Sequence, residues 1–334
     1  MLGIRRFQHF GNGTMASKAA TKKPLPRRKA SAGDLAGEIL RIRLSQLIIN
    51  EKYKSGAFRV PIHLAIGHEA IAVAADNALG EQDLLILPHR NLHYNLARAK
   101  SLRLIVDEFL LKEDGLANGK LGSMNLANPA ARVLYASSIL GNNLSIASGT
   151  ALAHKVTESG NVTWVVMGDG AIEEGAFYEA MQFGAAHGLR LLMLVENNEW
   201  SLATHIMERR CPVDLERIAG AFGASYTRLD GNDAQAYARV LKDLRTDIAR
   251  HSMPAVVEIG VKTLGGWHML NEGATAPRYI NYHAGPATKV HLSEWPVIEE
   301  SEADPVYVLS RQHGRDWLVE SSRALRDQLL AEVT

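Results

Sequence analysis

Two short apolar runs, Asn161 to Met167 and Leu189 to Val195, constrain this chain more than any other feature. Each is nearly continuous in valine, leucine, methionine or tryptophan, the pattern of a strand buried on both faces. Between them, Glu173 to His187 carries Phe177, Ala180, Met181 and Gly184 on one helical stripe. The alternation goes on: 214–222 suits a helix, 225–229 a strand, 234–250 a helix and 255–261 a strand. Strands alternating with helices predict the α/β class, with a parallel sheet covered by helices on both faces. Upstream, Leu35, Ile39, Ile42, Leu44, Leu47 and Ile48 recur near helical spacing, and 67–79 and 101–112 read as further helices. Residues 264–286 hold glycine, proline and aromatics without a period and read as a long loop, a kind of segment that is often functional. Residues 313–331 read as a closing helix.

Composition bounds the class. With 334 residues, 46% of them apolar, one large α/β domain over 34–334 has ample core. A formal charge of +1 gives no global pull toward nucleic acid or a membrane surface, and no apolar run approaches the length of a membrane span. Cys211 is the only cysteine, so no internal disulfide forms and a reducing, cytoplasmic setting is expected. Residues 1–33 contain eight lysines and arginines and no acid. They read as a basic, disordered tail; the alternative is a transit peptide, which would place the chain in the mitochondrial matrix.

The chemistry gathers where the two apolar runs stop. Gly168-Asp169-Gly170 ends the first, and 26 residues later Asn197-Asn198 ends the second. If the runs are neighbouring parallel strands joined by a right-handed crossover, both groups sit together at the carboxyl edge of the sheet, where open α/β folds bind ligands. The Asp169 carboxylate, the Asn198 amide oxygen and nearby backbone carbonyls suit a hard cation such as Mg²⁺, which completes its shell with phosphate oxygens. Gly170 and Ala171 lead toward a helix, whose first amides suit an anion. The ligand implied is a diphosphate with magnesium. A tight turn with asparagines satisfying loop backbone explains each piece, but not their joint placement.

Gly-Asp-Gly followed at this distance by Asn-Asn resembles the thiamine-diphosphate signature of transketolase-like enzymes. Other stretches resemble the alpha subunit of 2-oxo acid dehydrogenases. Pro61-Ile-His-Leu-Ala-Ile-Gly-His-Glu-Ala70 looks like the family's HLxxGQEA, with His68 in place of glutamine. Gly119 to Met124 resembles GKGGSMH, Ile139 to Asn143 matches the position of IVGAQ, Leu229 to Asp233 matches VDGND, and Pro254 to Glu258 matches PxLIE. The likeness covers roughly residues 34 to 330. It implies the thiamine-diphosphate-binding fold, with thiamine diphosphate and Mg²⁺ as cofactors. Asp169, the Asn198 side chain and the Trp200 backbone carbonyl would hold the metal. Gly168 belongs to the same signature, and the Gly170 and Ala171 amides and Arg90 would meet the diphosphate. Ser138 and Leu140 fall where the family's backbone meets the aminopyrimidine.

Departures from the family matter too. His89 stands where the tyrosine before the family's arginine is expected, and the following histidine is absent or shifted to His93. The GHSxSD loop is altered to Gly265-Gly-Trp-His-Met-Leu-Asn-Glu272, followed by Tyr282-His-Ala-Gly-Pro286. His268 and His283 are rival matches for the active-site histidine. The glutamate that activates thiamine diphosphate lies in a pyrimidine-binding domain not found here, so a beta-type partner is expected, in an α₂β₂ assembly. The resemblance implies oxidative decarboxylation of a 2-oxo acid, with acyl transfer to a lipoyl-bearing acyltransferase. A two-chain carboligase or transketolase using the same cofactor is the alternative.

Overall fold

The computed structural model describes residues 35–270 and 275–334. The expected basic tail, 1–33, and Asn271 and Glu272 of the altered loop lie outside them. The chain opens with helices α1 (Leu35–Lys54) and α2 (Glu69–Ala78), then β1 (Leu84–Pro88), α3 (Leu92–Ala99), α4 (Leu102–Phe109) and β2 (Val133–Ser137). Next come α5 (Asn142–Val156), β3 (Thr163–Gly168), α6 (Gly175–Ala186) and β4 (Leu191–Asn197). A small hairpin of β5 (Trp200–Ser201) and β6 (Thr204–His205) leads to α7 (Ile206–Arg209), α8 (Leu215–Ala221), β7 (Ser225–Leu229), α9 (Ala234–His251) and β8 (Ala255–Gly260). A second hairpin, β9 (Trp267–Met269) with β10 (Arg278–Ile280), precedes α10 (Pro305–His313) and α11 (Arg315–Val333).

The main sheet runs β2-β1-β3-β4-β8-β7, and every pairing in it is parallel. Its inner strands β3, β4 and β8 are buried on both sides because each side has its own core. On β4, Leu192 and Leu194 join Trp164 and Val166 of β3 in a core shared with α1, α2 and α9. Leu191, Met193 and Val195 join Val165 and Met167 in a second core with residues of α5, α6 and α8. Successive side chains of one strand point to opposite faces, which is how one sheet serves two cores. This is the expected α/β class with helices on both faces.

Helix starts follow local chemistry. Asp214 caps α8 by accepting the Arg217 amide at 3.0 Å. Asp233 caps α9 by accepting the Gln235 and Ala236 amides, both at 2.9 Å. Asp304 caps α10, with Pro305 at the first helical position.

Some expectations need correction. Gly170 and Ala171 do not lead directly into a helix: Asp169–Glu173 forms a 3-10 turn and α6 starts at Gly175. The closing helix is α11, which starts at Arg315 rather than 313 because Gly314, at φ +89°, separates it from α10. The long loop carries the β9–β10 hairpin.

Candidate active site

Four strands end at one cleft that is open to solvent. β1 delivers Pro88, His89 and Arg90; Ser137, Ile139 and Leu140 follow from β2; β3 brings Met167 through Ala171; β4 brings Glu196, Asn198 and Trp200; and His283 arrives from beyond β10. β1 and β3 are neighbours, yet the chain leaves β1 toward β2 at one edge and leaves β3 toward β4 on the other side. Ligands of open α/β sheets bind at such a switch point.

One wall is acidic and oxygen-rich. Asp169 is 1% exposed, and burial raises its carboxyl above the ordinary range, against the pull of Arg209. Arg209 of α7 reaches back to pair with both Asp169 and Glu173, and Arg210 holds Glu173 at 3.1 Å. The Asn198 amide donates to Thr263 Oγ1 at 2.8 Å, and its oxygen accepts the Trp200 amide at 3.1 Å. A Cβ added at Gly168 would meet nothing within 4 Å, and at Gly170 it would meet only side-chain atoms of Arg209 and Ser201. The protein leaves this backbone open to a ligand.

The opposite wall is cationic and imidazole-lined. Arg90 is 8% exposed and donates only to carbonyls, of Leu64 and, at 3.0 Å, of His283. No carboxylate pairs with it among the described residues, and burial lowers its pKa. Beside it His63, His89 and His283 stack edge to face or tilted. Burial, then the neighbouring Arg90 charge, pushes His89 and His283 down to about 4 and His63 to about 2. All three rings are neutral near pH 7.

A buried relay of hydrogen bonds runs beneath. His68 bridges Thr263 Oγ1 at 2.9 Å and Glu196 at 2.8 Å; Glu196 also meets His93 at 3.0 Å and Tyr94 at 2.8 Å. Burial opposes ionisation of Glu196, but the His93 and His68 contacts outweigh it and hold the carboxyl well below its usual range. Burial holds His68 below the ordinary histidine range. Thr263 thereby ties Asn198 to this relay.

The sequence-derived candidates divide accordingly. Arg90, Leu140, Gly168, Asp169, Gly170, Ala171, Asn198, Trp200 and His283 all line the cleft. Ser138 does not; its neighbour Ser137 does. His268 does not either: it sits exposed on β9 against Tyr279, with ring centroids 5.4 Å apart. Of the two rival histidines, the fold brings His283 to the cleft. His93 lies in the relay, at 0% exposure, not in the cleft lining. Sequence reasoning missed Glu196, Arg209 and His63. Glu196 had a signal, an acid just before Asn197-Asn198 at the end of an apolar strand. His63 had none beyond its place in a quoted motif, since folding alone brings it to His89 and His283.

Known proteins have similar sequences and folds. The family model described as dehydrogenase E1 component matches residues 39–277. The pyruvate dehydrogenase E1 component subunit alpha of Rickettsia bellii is 27% identical over 222 residues, covering 66% of this chain and 68% of that protein. The protein of the same name from Rhizobium meliloti is 30% identical over 199 residues, covering 60% of this chain and 57% of its own length. Among solved structures, a transketolase variant of Pichia stipitis in complex with xylulose 5-phosphate superposes with a TM-score of 0.57 at 16% identity, over 90% of this chain. The match spans only 46% of that transketolase, so the chain covers about half of its length.

Proposed function

The chain belongs to the dehydrogenase E1 component family, and on that premise we propose that it is the alpha subunit of a thiamine-diphosphate-dependent 2-oxo acid dehydrogenase. The reaction is oxidative decarboxylation of a 2-oxo acid, with acyl transfer to a lipoyl carrier. One observation carries the reading: a buried carboxylate, Asp169, and a buried guanidinium, Arg90, without a carboxylate partner among the described residues, face the same cleft. A diphosphate with a divalent cation satisfies both.

The donor set fits that group. Asp169, the Asn198 side-chain oxygen and the Trp200 carbonyl would hold Mg²⁺, a hard cation served by a single carboxylate and neutral oxygens. Mg²⁺ would compete with Arg209, which balances Asp169 in this structure. Arg90 would hold diphosphate oxygens through its planar fork, and the amides of Gly170 and Ala171 would meet them over open backbone. The Leu140 backbone would flank the aminopyrimidine, with Ser137 in the cleft where Ser138 was expected. When bound, thiamine diphosphate supplies a carbon nucleophile for the oxo carbon and an electron sink for loss of carbon dioxide. His283, neutral and in the cleft, offers one ring N–H to a substrate oxygen and one lone pair to a proton.

The assembly follows from the same reading. A beta-type subunit would supply the activating glutamate in an α₂β₂ heterotetramer, and a lipoyl-bearing acyltransferase would take the product. Ile139, Leu140 and Ile146 stand exposed around the cleft and the start of α5, an apolar margin suited to a partner. Residues 34–334 would act as one domain, in the cytoplasm.

The test uses the chain co-expressed with its beta-type partner. A panel of 2-oxo acids is assayed with an artificial electron acceptor, with and without thiamine diphosphate and Mg²⁺. Acceptor reduction that requires both cofactors and falls at least about 100-fold in Asp169→Ala is expected. Carbon–carbon bond formation with an aldehyde, without acceptor reduction, would replace the dehydrogenase reading with a carboligase.

A further inference from the structure

The imidazole wall of the cleft holds more than proton transfer requires. One ring nitrogen from each of His63, His89 and His283 lies within 4.8 Å of the other two. Ring centroids are 4.8 Å apart for His63 and His89, 4.9 Å for His63 and His283, and 5.8 Å for His89 and His283. His63 is 7% exposed, and its Nδ1 has no hydrogen-bond partner among the described residues. A buried nitrogen left unpaired costs about 1–3 kcal/mol. Packing alone would place a carbon there.

Neutral imidazoles present lone pairs, and neutral imidazole is the commonest metal ligand. We propose that His63, His89 and His283 form a three-imidazole site for a borderline-soft divalent transition metal, with Zn²⁺ as the expected occupant. The cleft would complete the fourth position with solvent. Its ligand chemistry separates it from the oxygen set of Asp169 and Asn198: three nitrogens suit zinc or cobalt, whereas Mg²⁺ takes oxygen. A tetrahedral zinc with Zn–N of about 2.0–2.1 Å sets its nitrogens about 3.3 Å apart. The widest separation must therefore shrink by at most about 1.5 Å. His89 and His283 are only partly buried, and their rings carry no hydrogen bond among the described residues, so side-chain rotation is open to them.

Arg90 opposes the metal. Its charge lies close enough to depress all three histidines, and it sets the affinity below that of a structural zinc centre. The expected behaviour is reversible binding near micromolar metal. Occupancy would close the chamber that the substrate has to enter, so zinc inhibits. The inhibition rests on the proposed function; the binding does not.

The experiment takes the complex with its beta-type partner, stripped with a chelator, and titrates it with Co²⁺. Visible d–d bands of a tetrahedral site should saturate at one equivalent per chain, and Zn²⁺ should bleach them. His63→Ala, His89→Gln and His283→Gln should each remove the bands, while His313→Ala, an exposed control in α10, should keep them. Circular dichroism reports folding. If His63→Ala fails to fold, the two partly buried positions decide. Absence of bands, or bands that persist in the folded His89→Gln and His283→Gln variants, overturns the site. In the active complex, half-inhibition by zinc should move upward by roughly tenfold or more in His89→Gln. A complex that binds cobalt at this site but decarboxylates nothing sinks the functional reading and leaves the metal site standing. An active complex without bands does the reverse.

Discussion

Two buried arginines do opposite things. Arg43 of α1 is 0% exposed and fully engaged: Glu69 takes its Nε at 2.7 Å, Asp304 takes an amino group at 2.8 Å, and the Pro296 carbonyl accepts at 2.9 Å. Arg90 is nearly as buried, yet among the described residues it has two carbonyls and no carboxylate. The surroundings move the two groups apart. Burial pulls Arg43 down, but Asp304 and Glu69 more than reverse it, while burial wins at Arg90. A charge whose counter-charges are built in belongs to the fold. A charge left without them belongs to a ligand.

The strongest way to break that contrast is Asp304→Ala. It leaves Arg43 half-paired and also strips the cap that accepts the Ile298 and Val306 amides. Denaturant unfolding should show a loss of about 3–5 kcal/mol. The counterpart is Arg90→Met, which removes a buried charge that no carboxylate contacts among the described residues and whose burial outweighs the pull of Tyr282 and Glu196. Stability of the cofactor-free chain should change by less than about 1 kcal/mol, while thiamine diphosphate affinity falls roughly 10- to 100-fold, as read by calorimetric titration of the complex. A large loss of stability in Arg90→Met would erase the distinction.

The smallest effect concerns pH. Unfolded histidine takes up protons near its ordinary value of 6.5, whereas folded His89 and His283 resist until about 4. Between these values the unfolded chain binds more protons, so the stability these rings contribute is complete above 6.5 and drains away as pH falls toward 4. Thermal midpoints measured across this window should fall with acidification. The slope should flatten in the His89→Gln/His283→Gln double variant. An unchanged slope would mean that other groups carry the acid sensitivity.

Much of the oxygen-rich wall was legible in the sequence, because Asp169 and Asn198 end continuous apolar strands and such strands declare themselves. β1 was harder: its five residues, Leu84–Pro88, stop at a proline and look like any short apolar stretch. β2 alternates weakly and keeps Leu134 exposed, so it carries no clean period. The imidazole wall was half legible. His89 and His283 could be named from departures in the family pattern, but His63 meets them only through tertiary packing. His268 is the better local match, but β9 holds it exposed and outside the cleft lining, a placement that sequence spacing does not reveal. Arg209 was unreadable because a surface arginine and an arginine that closes on Asp169 look alike along the chain.

The division of β4 between two cores has a bearing on the precision of the site. Leu192 and Leu194 answer to one side of the sheet, Met193 and Val195 to the other. A slip of β4 by a single residue would exchange these sets and carry Asn198 away from Asp169 at the same time. Intermediate positions do not exist, since side-chain direction alternates residue by residue. The spacing of the two groups is therefore quantised rather than adjustable. Its tolerance is inherited from dozens of buried methyl groups that never touch the cleft, so the site is held in place by the layers beneath it.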